Sequence, residues 1–332
     1  MIPLLSLFAP FFALVLLGWA AARRGVIPLE GIGALNGFVL YFGLSAMLFR
    51  LGASGALIQP GLLGVVLAYG AGGVLVTALA LRWTVRRALR RRDGGLMALV
   101  AAFPNTGFLG LPLLTGLLGP QAAGPVAATL IIDVLLLSSV CLAWAHSHGA
   151  REPVGEDPLE VRHAVQASLK GALRNPLLWS TGLGMAAAAV GLRLPHPVDE
   201  TLRLLSLAAT PTALFTLGAI LARAQMRGGV RAAPLRGLGW LVGFKLLLHP
   251  AVVAGAGWGL QRAGVPLTQA GLLTVTLAAA LPSASNVSMM AEREGADASM
   301  VARVVLWTTA AALLTLAAWA HGLGVQAGAV TT

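Results

Sequence analysis

The stretch FPNTGFLGLP, residues 103–112, sits in the middle of an uncharged run from Gly94 to Gly119, and its reading decides the fold. The run is long and apolar enough for a membrane crossing. Yet two prolines, two glycines, an Asn and a Thr occupy the centre, where a crossing helix should be most regular. Proline lacks the backbone N–H and its ring clashes with the carbonyl one turn back, so helical hydrogen bonding must fail here. In hydrocarbon, polar backbone groups released in this way are tolerated only where they face protein or line a watery cavity. The stretch therefore predicts a broken helix beside a polar site at membrane depth.

The rest of the chain fits that reading. Of its 332 residues, 57% are hydrophobic and 11% charged, with a mean hydropathy of +0.83. Soluble domains carry about a quarter charged residues. The apolar content falls in blocks of about 20 residues, the length that crosses a ~30 Å hydrocarbon core as a helix, and the short alternating segments of a β-barrel are not seen. The chain reads as an all-α integral membrane protein. Ten crossings are expected near residues 2–22, 32–52, 60–82, 95–118, 121–145, 175–192, 199–222, 237–260, 268–291 and 298–321. Ile2 to Ala22 has no basic n-region and is long enough to span, so it reads as a first helix and not a cleaved signal.

Arginines lie between the apolar blocks. With the N-terminus outside, the inner loops carry Arg23 and Arg24, six arginines from Arg82 to Arg92, the linker cations Arg151, Arg162, Lys170 and Arg174, and then Arg223, Arg227, Arg231 and Arg236. The outer loops carry little beyond Arg193 and Arg262. By the positive-inside rule both termini should face outside the cytoplasm. The net charge of +11 then reads as a topology signal and as contact with anionic lipid of the bilayer, not with nucleic acid. Cys141 is the single cysteine, which excludes an intramolecular disulfide and a cysteine metal cluster, and the six histidines show no ligand spacing. No metal and no cofactor is expected; a coupling ion, H+ or Na+, stays open.

The two halves of the chain are related. At an offset of 166 residues Pro10 falls on Pro176, Gly18 on Gly184 and Gly25 on Gly191, and SAMLFRLGA (45–53) falls on PTALFTLGA (211–219) with five identities in nine. The chain thus divides into a first five-helix repeat over 1–145, a cytoplasmic linker over 146–174 and a second repeat over 175–323. An odd number of crossings inverts the second copy, the usual build of secondary transporters, whose sites lie near the midplane on discontinuous helices. The partner of the opening stretch should lie in the ninth crossing. There AAALPSASNVSMMAE (278–292) again carries a proline in mid-membrane, followed by small polar residues and an Asn.

Pro104, Pro112 and Pro282 are the expected helix-break positions. Two breaks crossing near the midplane would surround a polar pocket, in which half-helix N-termini favour an anion and freed carbonyls a cation. Substrate contacts are expected from Asn105, Thr106, Ser283, Ser285 and Asn286, with Gly107 and Gly110 allowing close backbone approach. Small residues also serve simply to pack membrane helices. Ionisable groups at depth cost about 2.5–3.5 kcal/mol each at a helix centre on insertion scales, which makes Asp133, Lys245, His249 and Arg303 conspicuous. Asp133 is either a proton or cation site or the partner of a buried cation. Lys245 and His249, four apart on one face, either offer positive charge to a carboxylate or form a structural pair.

FPNTGFLGLPLL (103–114), RNPLLWSTGLGM (174–185), ATPTALFTLGA (209–219) and ALPSASNVSMMAEREGADASM (280–300) resemble the auxin efflux carrier family, which includes plant auxin exporters and bacterial malate and malonate permeases. The likeness runs from GWAAARRGVIP (18–28) to TLAAWA (315–320). It implies ten helices in two inverted repeats with crossing helices four and nine, as in bile-acid symporters and sodium/proton antiporters. By the same likeness helices 1, 2, 6 and 7 form a scaffold and a homodimer surface, while helices 3–5 and 8–10 form a moving transport domain. Asn105 looks like a substrate contact and Asn286 like its bacterial counterpart in the second break. One departure is Ser45, where many relatives carry a proline facing Pro211.

The expected function is that of a secondary transporter moving a small organic anion, a malate-, malonate- or auxin-like carboxylate, by elevator-type alternating access. The alternative is a cation/proton antiporter or sodium-coupled symporter of the same fold using Asp133. An enzyme or a channel fits poorly, because no Ser/His/Asp order, metal set or pore-lining charge pattern lies at matching depths.

Overall fold

In the computed structural model, residues 2–55, 61–147, 176–226 and 237–325 are described. The linker expected at 146–174 falls almost wholly outside the described residues, as do Arg227, Arg231 and Arg236. The described chain is helical: α1 (Ile2–Arg23), α2 (Gly31–Ala53), α3 (Leu62–Arg86), α4 (Arg91–Ala102), α5 (Thr106–Leu118), α6 (Pro120–His146), α7 (Pro176–Ala189), α8 (His196–Met226), α9 (Leu238–Arg262), α10 (Gln269–Ala280), α11 (Asn286–Arg293) and α12 (Ala298–Gly322). Among the described residues there is no strand, only one isolated bridge.

Six of these segments are long and apolar enough to cross a membrane: α2, α3, α6, α9, α12 and His196–Arg223 of α8. Phe8–Arg23, α5 and α10 are shorter apolar helices. Large apolar side chains such as Leu16, Leu63, Leu75, Leu183, Leu207 and Leu247 are exposed, as a lipid-facing surface requires. The chain is a multi-pass integral membrane protein.

Two enclosed helices organise the interior. Every residue of α4 from Gly94 to Ala102 is buried, and so is α10 from Thr274 to Ala280. A helix apolar all round belongs inside a larger bundle, not at its lipid surface. Both of these helices stop short. The segments expected at 95–118 and 268–291 are each divided, between Ala102 and Thr106 and between Ala280 and Asn286.

Elsewhere the helices meet backbone to backbone through glycine. A Cβ on Gly18 of α1 would stand 1.9 Å from the Phe215 carbonyl oxygen of α8, and one on Gly218 would stand 1.8 Å from that of Val15. On the other side, Gly184 of α7 would meet the Phe49 carbonyl oxygen of α2 at 2.3 Å and Gly52 would meet that of Thr181 at 2.9 Å. No larger residue fits without moving a helix, which is the use membrane bundles make of small residues.

Helix α2 holds a π-turn at Val39–Gly43. Just beyond it Ser45, at the position of the family's proline, donates its Oγ to the Leu40 carbonyl at 2.7 Å. The carbonyl released by the π-turn is thus satisfied from the side chain, and the helix deviates locally without a proline.

Candidate functional site

At the end of α4, Phe103 turns to extended backbone (φ −93°, ψ 104°). Leu281 does the same at the end of α10 (φ −60°, ψ 154°). The two extended segments meet as an antiparallel bridge between Pro104 and Ser283. The Asn105 N–H donates to the Pro282 carbonyl at 2.8 Å, and the Ala284 N–H donates to the Phe103 carbonyl at 3.0 Å. Polar groups that the prolines would strand in an apolar interior are paired across the crossing instead, as their burial demands.

Side chains complete the joint. Ser283 Oγ donates to the Val100 carbonyl at 2.7 Å, while the Ser283 N–H donates to Thr308 Oγ1 of α12 at 3.1 Å. Asn105 caps α5, its Oδ1 accepting from the Phe108 N–H at 3.4 Å. Gly110 lies under Leu281, whose Cδ1 would be 2.5 Å from a Cβ there, so it permits the close approach of the two segments. Gly107 is open, with only Leu177 of α7 nearby. Pro112 lies beyond the break, directly after the π-turn Thr106–Gly110, in which the Leu111 N–H reaches back to the Thr106 carbonyl. Ser285 is buried immediately before α11, and Asn286 is that helix's first residue.

Beside the crossing lies a buried polar cluster that joins α3, α5, α6, α9 and α10. Tyr69 of α3 donates its hydroxyl to Asp133 Oδ1 at 2.8 Å, and Thr106 Oγ1 reaches Asp133 Oδ2 at 3.3 Å. Lys245 Nζ donates to the Ala279 carbonyl at 2.6 Å and stands 3.2 Å from His249 Nδ1. The Tyr69 and His249 rings are 5.6 Å apart. Tyr69, Asp133, Lys245 and His249 are 0% exposed.

Three members of this cluster lie on π-turns: Thr106 opens Thr106–Gly110, Asp133 opens Asp133–Leu137 and Lys245 lies in Phe244–Leu248. A π-turn inserts a residue and releases a carbonyl, and such turns are frequent at functional sites. The Asp133 carbonyl accepts from the Ser138 N–H as the π-turn's own bond and also from Ser138 Oγ at 2.9 Å.

The structure therefore brings Asn105, Thr106 and Ser283 together at the crossing, with Asp133, Lys245 and His249 alongside. Arg303 is buried on α12. Among the described residues, three buried atoms near the crossing lack a hydrogen-bond partner: Asn105 Nδ2, His249 Nε2 and Asn286 Oδ1. With Lys245 as an ammonium, His249 Nδ1 accepts, so Nε2 carries the proton and is a donor. Tyr69 is the member that the sequence does not disclose. A tyrosine in an apolar run reads as packing, and only the position of its hydroxyl against Asp133 makes it part of the cluster.

These features define a helical membrane transporter, built on broken helices whose ends meet inside the bundle. The chain belongs to the membrane transport protein family, whose model matches residues 3–320, and this is the auxin efflux carrier family that its motifs resemble. A Rhizobium meliloti (strain 1021) protein named "Putative malonate transporter" is 28% identical over 314 residues, covering 94% of this chain and 93% of its own. An "Uncharacterized transporter" of Methanothermobacter thermautotrophicus is 26% identical over 321 residues (92% and 94%). The Escherichia coli (strain K12) "Uncharacterized transporter YfdV" is 23% identical over 291 residues (86% of each).

Proposed function

We propose that the protein is a secondary carrier of a small organic anion, which binds at the crossing of the two broken segments and moves by elevator-type alternating access. The observation that carries this reading is a pair of buried donors without a hydrogen-bond partner among the described residues: Asn105 Nδ2 and, with Lys245 as an ammonium, His249 Nε2–H. A buried polar group left unpaired costs about 1–3 kcal/mol, so such groups persist where something pairs with them in use. A carboxylate, which only accepts, is the matching ligand. The N-terminus of α5 adds positive potential at the same place. Thr106, Gly107, Ser283, Ser285 and Asn286 are assigned with Asn105 to the substrate site. The relative named for malonate makes small dicarboxylates the first class to test.

The glycine contacts support the inverted repeat. The offset of 166 carries Gly18 onto Gly184 and Gly52 onto Gly218. Gly18 and Gly218 lie in the α1–α8 contact, and Gly184 and Gly52 lie in the α7–α2 contact. The two contacts exchange under one operation, as a pseudo-two-fold axis requires. In this reading α1, α2, α7 and α8 are the scaffold and homodimer surface, and the remaining helices move. Arg23 over Trp19 (5.3 Å), Arg87 over Trp83 (5.5 Å) and Arg91 over Trp144 (4.1 Å) supply the arginine and tryptophan belt of an inner face, in keeping with both termini outside a bacterial inner membrane.

A second reading, cation coupling or antiport through Asp133, draws support from that buried carboxylate. Its oxygens, however, already accept from Tyr69 and Thr106. The test is a thermal-shift series with malonate and malate, followed by counterflow in proteoliposomes. A carboxylate should stabilise the wild type by mass action, while Asn105→Ala and Asn286→Ala abolish both the shift and the flux yet remain folded. Full transport by both variants would sink the site assignment.

A further inference from the structure

The break in α10 leaves an acceptor at the end of the helix. In a continuous helix the Ala279 carbonyl would accept from the N–H of Ser283, four residues on. That N–H instead donates to Thr308 Oγ1 at 3.1 Å, and the Ala279 carbonyl accepts from Lys245 Nζ at 2.6 Å. The C-terminal end of a helix carries about half a negative charge. In carriers built on broken helices such carbonyls are where a coupling cation is held.

Here a side chain stands in that position. Lys245 comes from α9, which packs against α10, and is fully buried. Its ammonium has one donor on the Ala279 carbonyl and a second facing His249 Nδ1. A carbonyl and an imidazole nitrogen, in the same buried cluster as the Asp133 carboxylate, form the electronegative surroundings that a monovalent cation would otherwise need. The π-turn Phe244–Leu248 carries Lys245 within the helix and so contributes to its placement.

We infer that Lys245 is a tethered substitute for a coupling cation: its ammonium occupies the cation position at the end of α10, and the crossing is complete without Na+. The inference rests on the carrier reading above and deepens it, assigning the coupling site to a residue of the chain and excluding sodium.

The experiment measures melting of the purified full-length protein in detergent, with no organic anion present. NaCl is exchanged for choline chloride at constant ionic strength, and methylammonium chloride is added in a third arm. The wild type should melt at the same temperature in all three. Lys245→Ala should melt lower in choline and recover by a saturable upward shift with methylammonium or Na+, because the emptied position then accepts a free cation. A Lys245 with a purely structural role predicts no cation-dependent recovery. A saturable Na+ shift in the wild type, or a variant no more cation-sensitive than the wild type, would overturn the inference. Should Lys245→Ala fail to fold, Lys245→Gln takes its place, and the wild-type Na+ arm decides on its own if neither folds. A malonate or malate arm on the wild type, read separately, reports on the anion site, so that failure of either reading is distinguishable from failure of the other.

Discussion

The Asn105 N–H donates to the Pro282 carbonyl across the crossing at 2.8 Å, so each broken helix completes the backbone of the other. Neither segment can straighten without stranding a group on its neighbour. The joint is also the only β-like pairing among the described residues, placed where a helix would have left no room for polar contacts.

Pro282→Ala tests this dependence. The substitution restores an N–H at 282 and relieves a helix penalty of about 3 kcal/mol. It therefore favours continuation of α10 and draws the Pro282 carbonyl away from Asn105. Flux in proteoliposomes should fall far more than the melting temperature does. Unchanged transport would show that the break does not depend on this proline.

Gly218→Ala should be among the most damaging single-methyl changes in the chain. Its Cβ would stand 1.8 Å from the Val15 carbonyl oxygen, and neither partner is a side chain that can swing aside. Overpacking of this kind costs about 1–3 kcal/mol or more. Gly182→Ala on α7 is the control: nothing lies within 4 Å of its Cβ, and removing a helix-interior glycine should stabilise by roughly 0.5–1 kcal/mol. Opposite signs of the two melting shifts are expected.

Asp297→Ala probes the start of α12. Asp297 Oδ1 accepts from the Met300 N–H at 2.9 Å as an N-cap, and the Asp297 N–H in turn donates to Asp93 Oδ1 of α4 at 2.8 Å. Losing the cap should cost about 0.5–2 kcal/mol, and Asp297→Asn should recover most of it. The Asp93 contact uses backbone and survives both changes, so a drop well beyond the cap's value would show that the side chain holds more than its own helix.

What could be read in advance follows from which atoms carry letters. The two breaks were legible because proline and asparagine announce them, and Asp133, Lys245 and His249 were legible because charge is rare at depth. The acceptor that Lys245 found was not, since the Ala279 carbonyl is backbone and its availability depends on where α10 stops. The sequence left Asp133 open between a cation site and an ion-pair partner. Its hydrogen-bond partners are two hydroxyls, those of Tyr69 and Thr106. Gly18 and Gly184 were visible as a repeat match, while their contacts with Phe215 and Phe49 required the helices to be packed.

The Tyr69 and Asp133 pair yields the final prediction. Tyr69→Phe removes the donor to Asp133 Oδ1 and keeps the ring that lies 5.6 Å from His249, so packing is preserved while one buried carboxylate oxygen loses its partner. The single change should cost about 1–3 kcal/mol. Asp133→Asn retains an oxygen to accept from Tyr69 but abolishes the carboxylate charge. Because the two side chains are in direct contact, the two variants should be non-additive in a double-mutant cycle, with a coupling of about 0.5–3 kcal/mol. Asp133→Asn should then weaken transport without changing its response to Na+. Additive losses would separate the hydroxyl from the charge network. Sodium-dependent transport by the wild type that Asp133→Asn removes would return Asp133 to the role of cation site.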